Sequence, residues 1–300
     1  MSVLEVLHNT PWLLVTGGVV LGLTVGSFLN VVIHRLPKML EQQWRADCAE
    51  LAGASAPAAE KVNLVVPPSA CPQCGHRIAA LENIPLVSYL ALGGRCSACK
   101  ARISPRYPAV EALCGLLGGY VMWRYGMSWA ALWAAVYVWA MIALAVIDQE
   151  TGYLPDDLTQ PLLWLGILVS VNATLGVDLA TSIAGAVAGY LSLWVIAKAW
   201  GFVRNVEAMG HGDFKLLAAI GAWLGWKAIL GAVLISSFLG AVAGVIIMIA
   251  TGQGMQAKLR FGPYLAVAGV LFLLWGERIN KALGLDDVSA ELQALFRGLF

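Results

Sequence analysis

Apolar stretches recur eight times along the chain, at roughly 11–33, 108–123, 129–147, 158–174, 179–199, 213–225, 228–250 and 262–276, and they restrict what it can fold into. Inside hydrocarbon a backbone must satisfy its own amides and carbonyls, which makes a helix the natural form of each stretch. A crossing takes about 20 mainly apolar residues; the sixth stretch is short and is open to a re-entrant or interfacial reading. Composition agrees, since 59% of the 300 residues are hydrophobic and 12% charged, against roughly a quarter charged in a soluble domain. The expectation is an all-α polytopic membrane protein of about eight transmembrane helices, with the lipid bilayer as its surroundings. A net charge of +1 gives no reason to expect a nucleic-acid partner. The first stretch is preceded by no basic n-region and followed by no small-residue cleavage site, so it is expected to be retained as a span.

Lys and Arg set the orientation. With the N-terminus outside, the inner segments hold Arg35, Lys38, Arg45, Lys61, Arg77, Arg95, Lys100, Arg102, Arg106, Lys198, Arg204, Lys215, Lys258 and Arg260, which is 14 of the 19 basic residues. The positive-inside bias therefore predicts a cytoplasmic loop over 36–107, with the 148–157 and 200–212 connections on the same side. The expected organisation is a first transmembrane helix at 1–35, that loop, a membrane bundle over 108–276 and a tail at 277–300. Residues 49–60 (AELAGASAPAAE) read as a flexible linker. Gly18, Gly22 and Gly26, then Asn30, fall at four-residue spacing, as do Gly185 and Gly189. This predicts close helix packing, with Asn30 as an interhelical hydrogen-bonder.

Within the loop, Cys71 and Cys74 form one C-x-x-C pair and Cys96 and Cys99 another. Four thiolates on tight turns are the ligand set that tetrahedral zinc prefers, which predicts a small zinc-ribbon-like module with a structural metal. A disulfide framework is the weaker alternative in a reducing cytoplasm. His76 is available as a substitute ligand, whereas Cys48 and Cys114 have no partner pattern. A ribbon with Arg77, Arg95, Lys100, Arg102 and Arg106 can also contact phosphates, but the positive-inside bias already accounts for those charges.

Acidic residues gather where apolar stretches meet the inner connections: Asp148, Glu150, Asp156, Asp157, Glu207 and Asp213. Two carboxyls brought together cannot easily both ionise, so one keeps a proton while the other activates water, which is the chemistry of an aspartic protease. Each acid also has a plainer reading. Asp213 can cap a helix, Asp148 can be a solvated loop acid, and Asp156, following Pro155, has the place of a simple cap. Spacing alone does not select a pair from the six.

The motifs GSFLNVVIHRLP, the paired cysteines, ENIPLVSYLALGGRC, RYPAVE, AVIDQETGYLPD, GHGDFKLLAAIGAWLG and FGPYLAVAG occur in that order over nearly the whole chain. In this the sequence resembles the type IV prepilin peptidases, bifunctional leader peptidase and N-methyltransferase enzymes of pilus and type II secretion systems. The resemblance implies that Asp148 and Asp213 are the catalytic pair, with Gly210, His211 and Gly212 completing the glycine-x-glycine-aspartate motif. Gly210 and Gly212 would let the backbone turn sharply and approach the substrate. His211 stands at the variable position and is given no role.

What the resemblance implies further is cleavage of a short basic leader after glycine, from a prepilin or pseudopilin at the cytoplasmic face of the bacterial inner membrane. The new N-terminal residue is then methylated with S-adenosylmethionine as donor. The acids Glu150, Asp156, Asp157 and Glu207 form a rim suited to attract that leader. For methyl transfer the residues say less. The Gly93-Gly94 turn and Glu111 are cofactor-binding candidates, with a tight turn and helix packing as their plain readings. A transporter would place ionisable groups near the bilayer midplane rather than at one face. A zinc-stabilised scaffold without catalysis would use both aspartates as caps.

Overall fold

In the computed structural model, residues 10–54, 62–204, 210–252 and 260–285 are described, and they are largely helical, with irregular backbone, turns and two isolated bridges over 62–79 and 92–105. The second half of the expected linker, Lys61, Glu207, Lys258 and the tail beyond 285 lie outside them. The chain divides into two compact units, Met1–Ala143 and Leu144–Phe300.

The first unit is built on α1 (Pro11–Leu51) and α3 (Arg106–Tyr125), with a 3-10 turn (Ala80–Asn83) and α2 (Val87–Ala91) between them; α4 (Trp129–Thr151) runs from this unit into the next. Pro11 starts α1, where a missing N–H costs nothing. The expected glycine seam is the contact with α3. A Cβ at Gly18 would lie 2.8 Å from Gly118 O, and one at Gly26 2.8 Å from the Glu111 Cα. Asn30 Nδ2 donates to Tyr107 O at 3.0 Å, one turn further along the same seam. Unlike the expected span, α1 does not stop near Ile33. It continues through Pro37 to Leu51, because the polar run after Pro37 is made largely of good helix formers. The start of the expected linker, 49–51, is therefore helical. Arg35, buried, donates to Asn63 O at 2.9 Å and to Pro67 O at 2.5 Å, tying the returning loop to α1.

The second unit holds the end of α4, then α5 (Asp156–Ser170), α6 (Leu179–Arg204), α7 (His211–Leu224), α8 (Lys227–Thr251) and α9 (Gly262–Ala282). Its centre is α7, in which Phe214 and the run from Leu216 to Trp223 are buried, the pattern of a helix apolar all round. Gly185 and Gly189 of α6 press against the Gly221 and Leu217 backbones, and Ser182 Oγ donates to Ala222 O at 2.6 Å. From α5, Leu162 O accepts the Trp223 indole N–H at 2.8 Å, and Gly166 leaves room for that ring.

Among the described residues, four helices are long and apolar enough to cross a membrane: Pro11–Leu51, Trp129–Thr151, Leu179–Val203 and Lys227–Ala250. The other four expected stretches correspond to α3, α5, α7 and α9. At 15 and 14 residues, α5 and α7 are about 22 and 21 Å long, short of the roughly 30 Å hydrocarbon core. Of the two, α7 is packed by α5, α6, α8 and α9.

Candidate active site

α4 ends three residues after Asp148, at Thr151. Gly152 follows with φ 80°, and its amide donates to Asp148 O at 2.9 Å, a left-handed helix stop that glycine accepts without strain. The chain then turns through Leu154 and Pro155 into α5. Gly212 packs on that turn, since a Cβ there would lie 3.0 Å from Leu154 Cβ. The next residue, Asp213, is thereby held against the segment that leaves Asp148, in the first turn of α7.

Asp148 is 5% exposed, and its Oδ2 is buried with no hydrogen-bond partner. Asp213 is partly buried. Burial, and after it the negative charge of Asp148, push the Asp213 carboxyl up to about 7. The two carboxylates thus act on one another electrostatically. A pair that resists double ionisation can hold one proton near neutral pH and use its other member as a base.

The remaining acids are placed differently. Glu150, Asp156 and Asp157 are exposed, and Glu207 is outside the described residues. Asp156 is not the cap its sequence position implies. Pro155, extended at φ −63° and ψ 132°, is the N-cap and Asp156 the first helical residue; its carboxylate faces Lys215 of α7, whose Nζ lies 2.7 Å from both oxygens. Nor does Asp213 occupy a cap position, which Gly210 takes with φ −71° and ψ 145°. Those angles are open to any residue, and neither Gly210 nor Gly212 has positive φ. Neither glycine uses the left-handed region; Gly212 serves close packing on Leu154.

In the first unit the four cysteines come together. Their Sγ atoms all lie within 4.8 Å of one another, and Cys71 Sγ is 3.8 Å from Cys99 Sγ. Zinc bound tetrahedrally at about 2.3 Å sets its sulfurs about 3.8 Å apart, so the donor set fits that ion. The two C-x-x-C turns repeat one another. Cys71 N–H donates to His76 O and Cys96 N–H to Ala101 O, both at 2.9 Å, while Gly75 and Lys100 donate back to Cys71 O and Cys96 O. Gly75 and Lys100 share positive φ, 72° and 60°. His76 Nε2 faces Glu82 Oε2 at 3.3 Å, which leaves the four thiols as the ligand set.

Gly93 and Gly94, with φ 60° and 67°, form the turn that ends α2, and a Cβ at Gly94 would lie 2.9 Å from the Tyr89 ring. Glu111 Oε2 accepts the Leu86 amide at 2.9 Å, with Leu86 itself at φ 59°. Glu111 meets one end of α2 and the glycine turn forms the other. Sequence reasoning missed Arg260, whose Nη1 donates to Asp148 O at 2.9 Å and also to Gln149 O. It also missed Gly262, on which the Asp148 carboxylate rests. Both lie in or beside the quoted FGPYLAVAG motif, but nothing in a linear pattern joins them to Asp148.

Residues 20–125 match the family model described as the bacterial peptidase A24 N-terminal domain, and residues 135–245 match the type IV leader peptidase family. The chain is 48% identical over 282 residues to a prepilin leader peptidase/N-methyltransferase of Pseudomonas aeruginosa, covering 94% of this chain and 97% of the relative. Relatives of the same name from Stutzerimonas stutzeri and Aeromonas hydrophila are 48% identical over 283 residues and 45% identical over 280; these alignments cover 94% and 93% of this chain and 98% and 96% of the relatives. No solved structure matches.

Proposed function

The chain belongs to the type IV leader peptidase family, and from that premise we propose that Asp148 and Asp213 cleave the leader from prepilins or pseudopilins, after which the chain N-methylates the new terminus. As a prepilin leader peptidase and N-methyltransferase it is an enzyme. The observation that supports the catalytic assignment is placement: Asp148 is buried at the end of α4, and Gly212 packs the first turn of α7, with Asp213, on the Leu154 turn that leaves it. One carboxylate takes a proton from water as the water attacks the scissile carbonyl. The other, holding the pair's single proton, gives it to the carbonyl oxygen; the C–N bond then breaks as the proton taken from water passes to the leaving amine, and the proton on the carbonyl oxygen returns to the pair. Gly210 and Gly212 support the geometry as the N-cap and the packing contact of α7.

The same reading includes a multi-pass protein of the bacterial inner membrane with about eight apolar helices, α7 being a short embedded one, and a cytoplasmic catalytic face. Exposed Phe28, Ile196, Phe238 and Ile249 on the long helices suit a lipid surrounding. The domains are then the first helix (1–35), the cytoplasmic loop with its zinc module (36–107), the peptidase bundle (108–276) and a tail (277–300). Exposed Glu150, Asp156 and Asp157 form an acidic rim suited to attract the basic leader, and Asp156 is also held by Lys215.

Cys71, Cys74, Cys96 and Cys99 would hold a structural zinc, whose closed thiolate sphere leaves no position for an activated water. S-adenosylmethionine, when bound, supplies an activated methyl group. Gly93, Gly94 and Glu111 are the residues assigned to its binding. The left-handed turn brings bare backbone to the surface of the module, and Glu111 holds the other end of α2 through the Leu86 amide. Incubating the purified protein with a full-length prepilin and S-adenosylmethionine tests the reading. A shortened, N-methylated product is expected; a transporter or an inert scaffold yields neither change.

A further inference from the structure

We propose that Arg260 and Gly262, on the segment that enters α9, are positioning residues for cleavage: together they seat the Asp148 helix end and its carboxylate. The inference rests on Asp148 and Asp213 being the cleaving pair.

The last carbonyls of a helix lack intrahelical donors. At the end of α4, Asp148 O receives the Gly152 amide at 2.9 Å and Arg260 Nη1 at 2.9 Å, and Arg260 also donates to Gln149 O. A guanidinium suits this place because it carries several donors in one plane and a charge complementary to the carboxyl end of the helix. The backbone that bears Asp148 is thereby tied to a residue 112 positions later. Without that tie the last turn of α4 would be free to fray.

The side chain is seated by Gly262, two residues on. Gly262 is the buried first residue of α9, and a Cβ there would stand 2.5 Å from Asp148 Oδ2 and 3.0 Å from its Cγ. Only a bare Cα lets the carboxylate lie where it does. Oδ2 is buried and rests against the Gly262 backbone, and that contact sets its direction. Pro263 follows in the first turn and fixes where α9 begins, which keeps this seat from sliding. An active site tolerates little displacement, since about 1 Å can cost on the order of 100-fold in rate.

Gly262→Ala, Arg260→Gln and Arg260→Lys are compared with the parent and with Asp148→Asn in nanodiscs, measuring prepilin cleavage (kcat and KM separately) and methylation of a pre-cleaved pilin. Gly262→Ala is expected to lower kcat for cleavage by roughly 100-fold, with KM and methylation within about threefold of the parent. Arg260→Gln should lose more than about 10-fold in kcat, and Arg260→Lys, which restores a cationic donor to the two carbonyls, should recover much of it. Parent-like cleavage by Gly262→Ala, or an equal loss of cleavage and methylation, overturns the proposal. So does failure of Arg260→Lys to exceed Arg260→Gln. If Asp148→Asn itself cleaves normally, the catalytic pair is what fails; if it is inactive while Gly262→Ala is normal, only the seat fails.

Discussion

Lys215 Nζ lies 2.7 Å from both carboxylate oxygens of Asp156, so the acid that opens α5 is fastened to α7 two residues beyond Asp213. The link is partly solvated, with the two side chains 28% and 58% exposed, and pairs of that kind contribute up to about 1 kcal/mol. Asp156→Asn should therefore lower stability slightly and slow cleavage no more than about fivefold. Steady-state cleavage beside thermal unfolding in the same detergent checks this. A loss as deep as that of Asp148→Asn would move Asp156 into the reacting set.

The pH dependence follows from Asp213. Burial and the neighbouring Asp148 charge both favour its neutral form and carry it up to about 7. Its proton is present below that pH and leaves above it, and the doubly ionised pair has no acid to give the scissile carbonyl. Cleavage should therefore decline on the alkaline side, with a limb near 7 that belongs to the coupled pair. The profile of kcat/KM between about pH 5 and 9 reads it directly. A rate still climbing through that range would contradict the shared proton.

Much of this arrangement is legible in the sequence. The four thiols were readable because their chemistry is written in local spacing, and each C-x-x-C turn folds on itself through bonds such as Cys71 N–H to His76 O. The glycine seams were readable for a similar reason, since Gly18, Gly22 and Gly26 repeat at helical spacing. The catalytic pair was not readable from spacing, as six acids qualified and only the resemblance singled out two. Helix ends explain the rest of the gap. The extension of α1 to Leu51, the turn of Asp156 toward Lys215 and the grip of Arg260 on Asp148 O are tertiary choices, made by partners far away in sequence.

Zinc should support the loop and not the cleavage. Cys71→Ser and Cys96→Ser each remove a ligand from a closed set, and apo modules of this type often lose their fold. Metal analysis of the parent should find one zinc per chain, lost in both variants, with faster hydrogen exchange across residues 71–99. Cleavage should fall only as far as the loop helps hold substrate, and methylation should fall further if the turn at Gly93 and Gly94 lies in the donor site. A parent without zinc would sink the metal assignment.

Single-turnover cleavage of a full-length prepilin by Asp148→Asn and Asp213→Asn, each reconstituted in nanodiscs, tests the central claim most directly. Either substitution leaves the pair without the carboxylate that takes the proton from water or the acid that protonates the carbonyl oxygen, so each should cut cleavage by at least about 1,000-fold, the order of loss seen when one member of a catalytic unit is removed. Methylation of a pre-cleaved pilin should persist in both, showing that the protein is folded. Cleavage by either variant at a rate near that of the parent would contradict the assignment of Asp148 and Asp213.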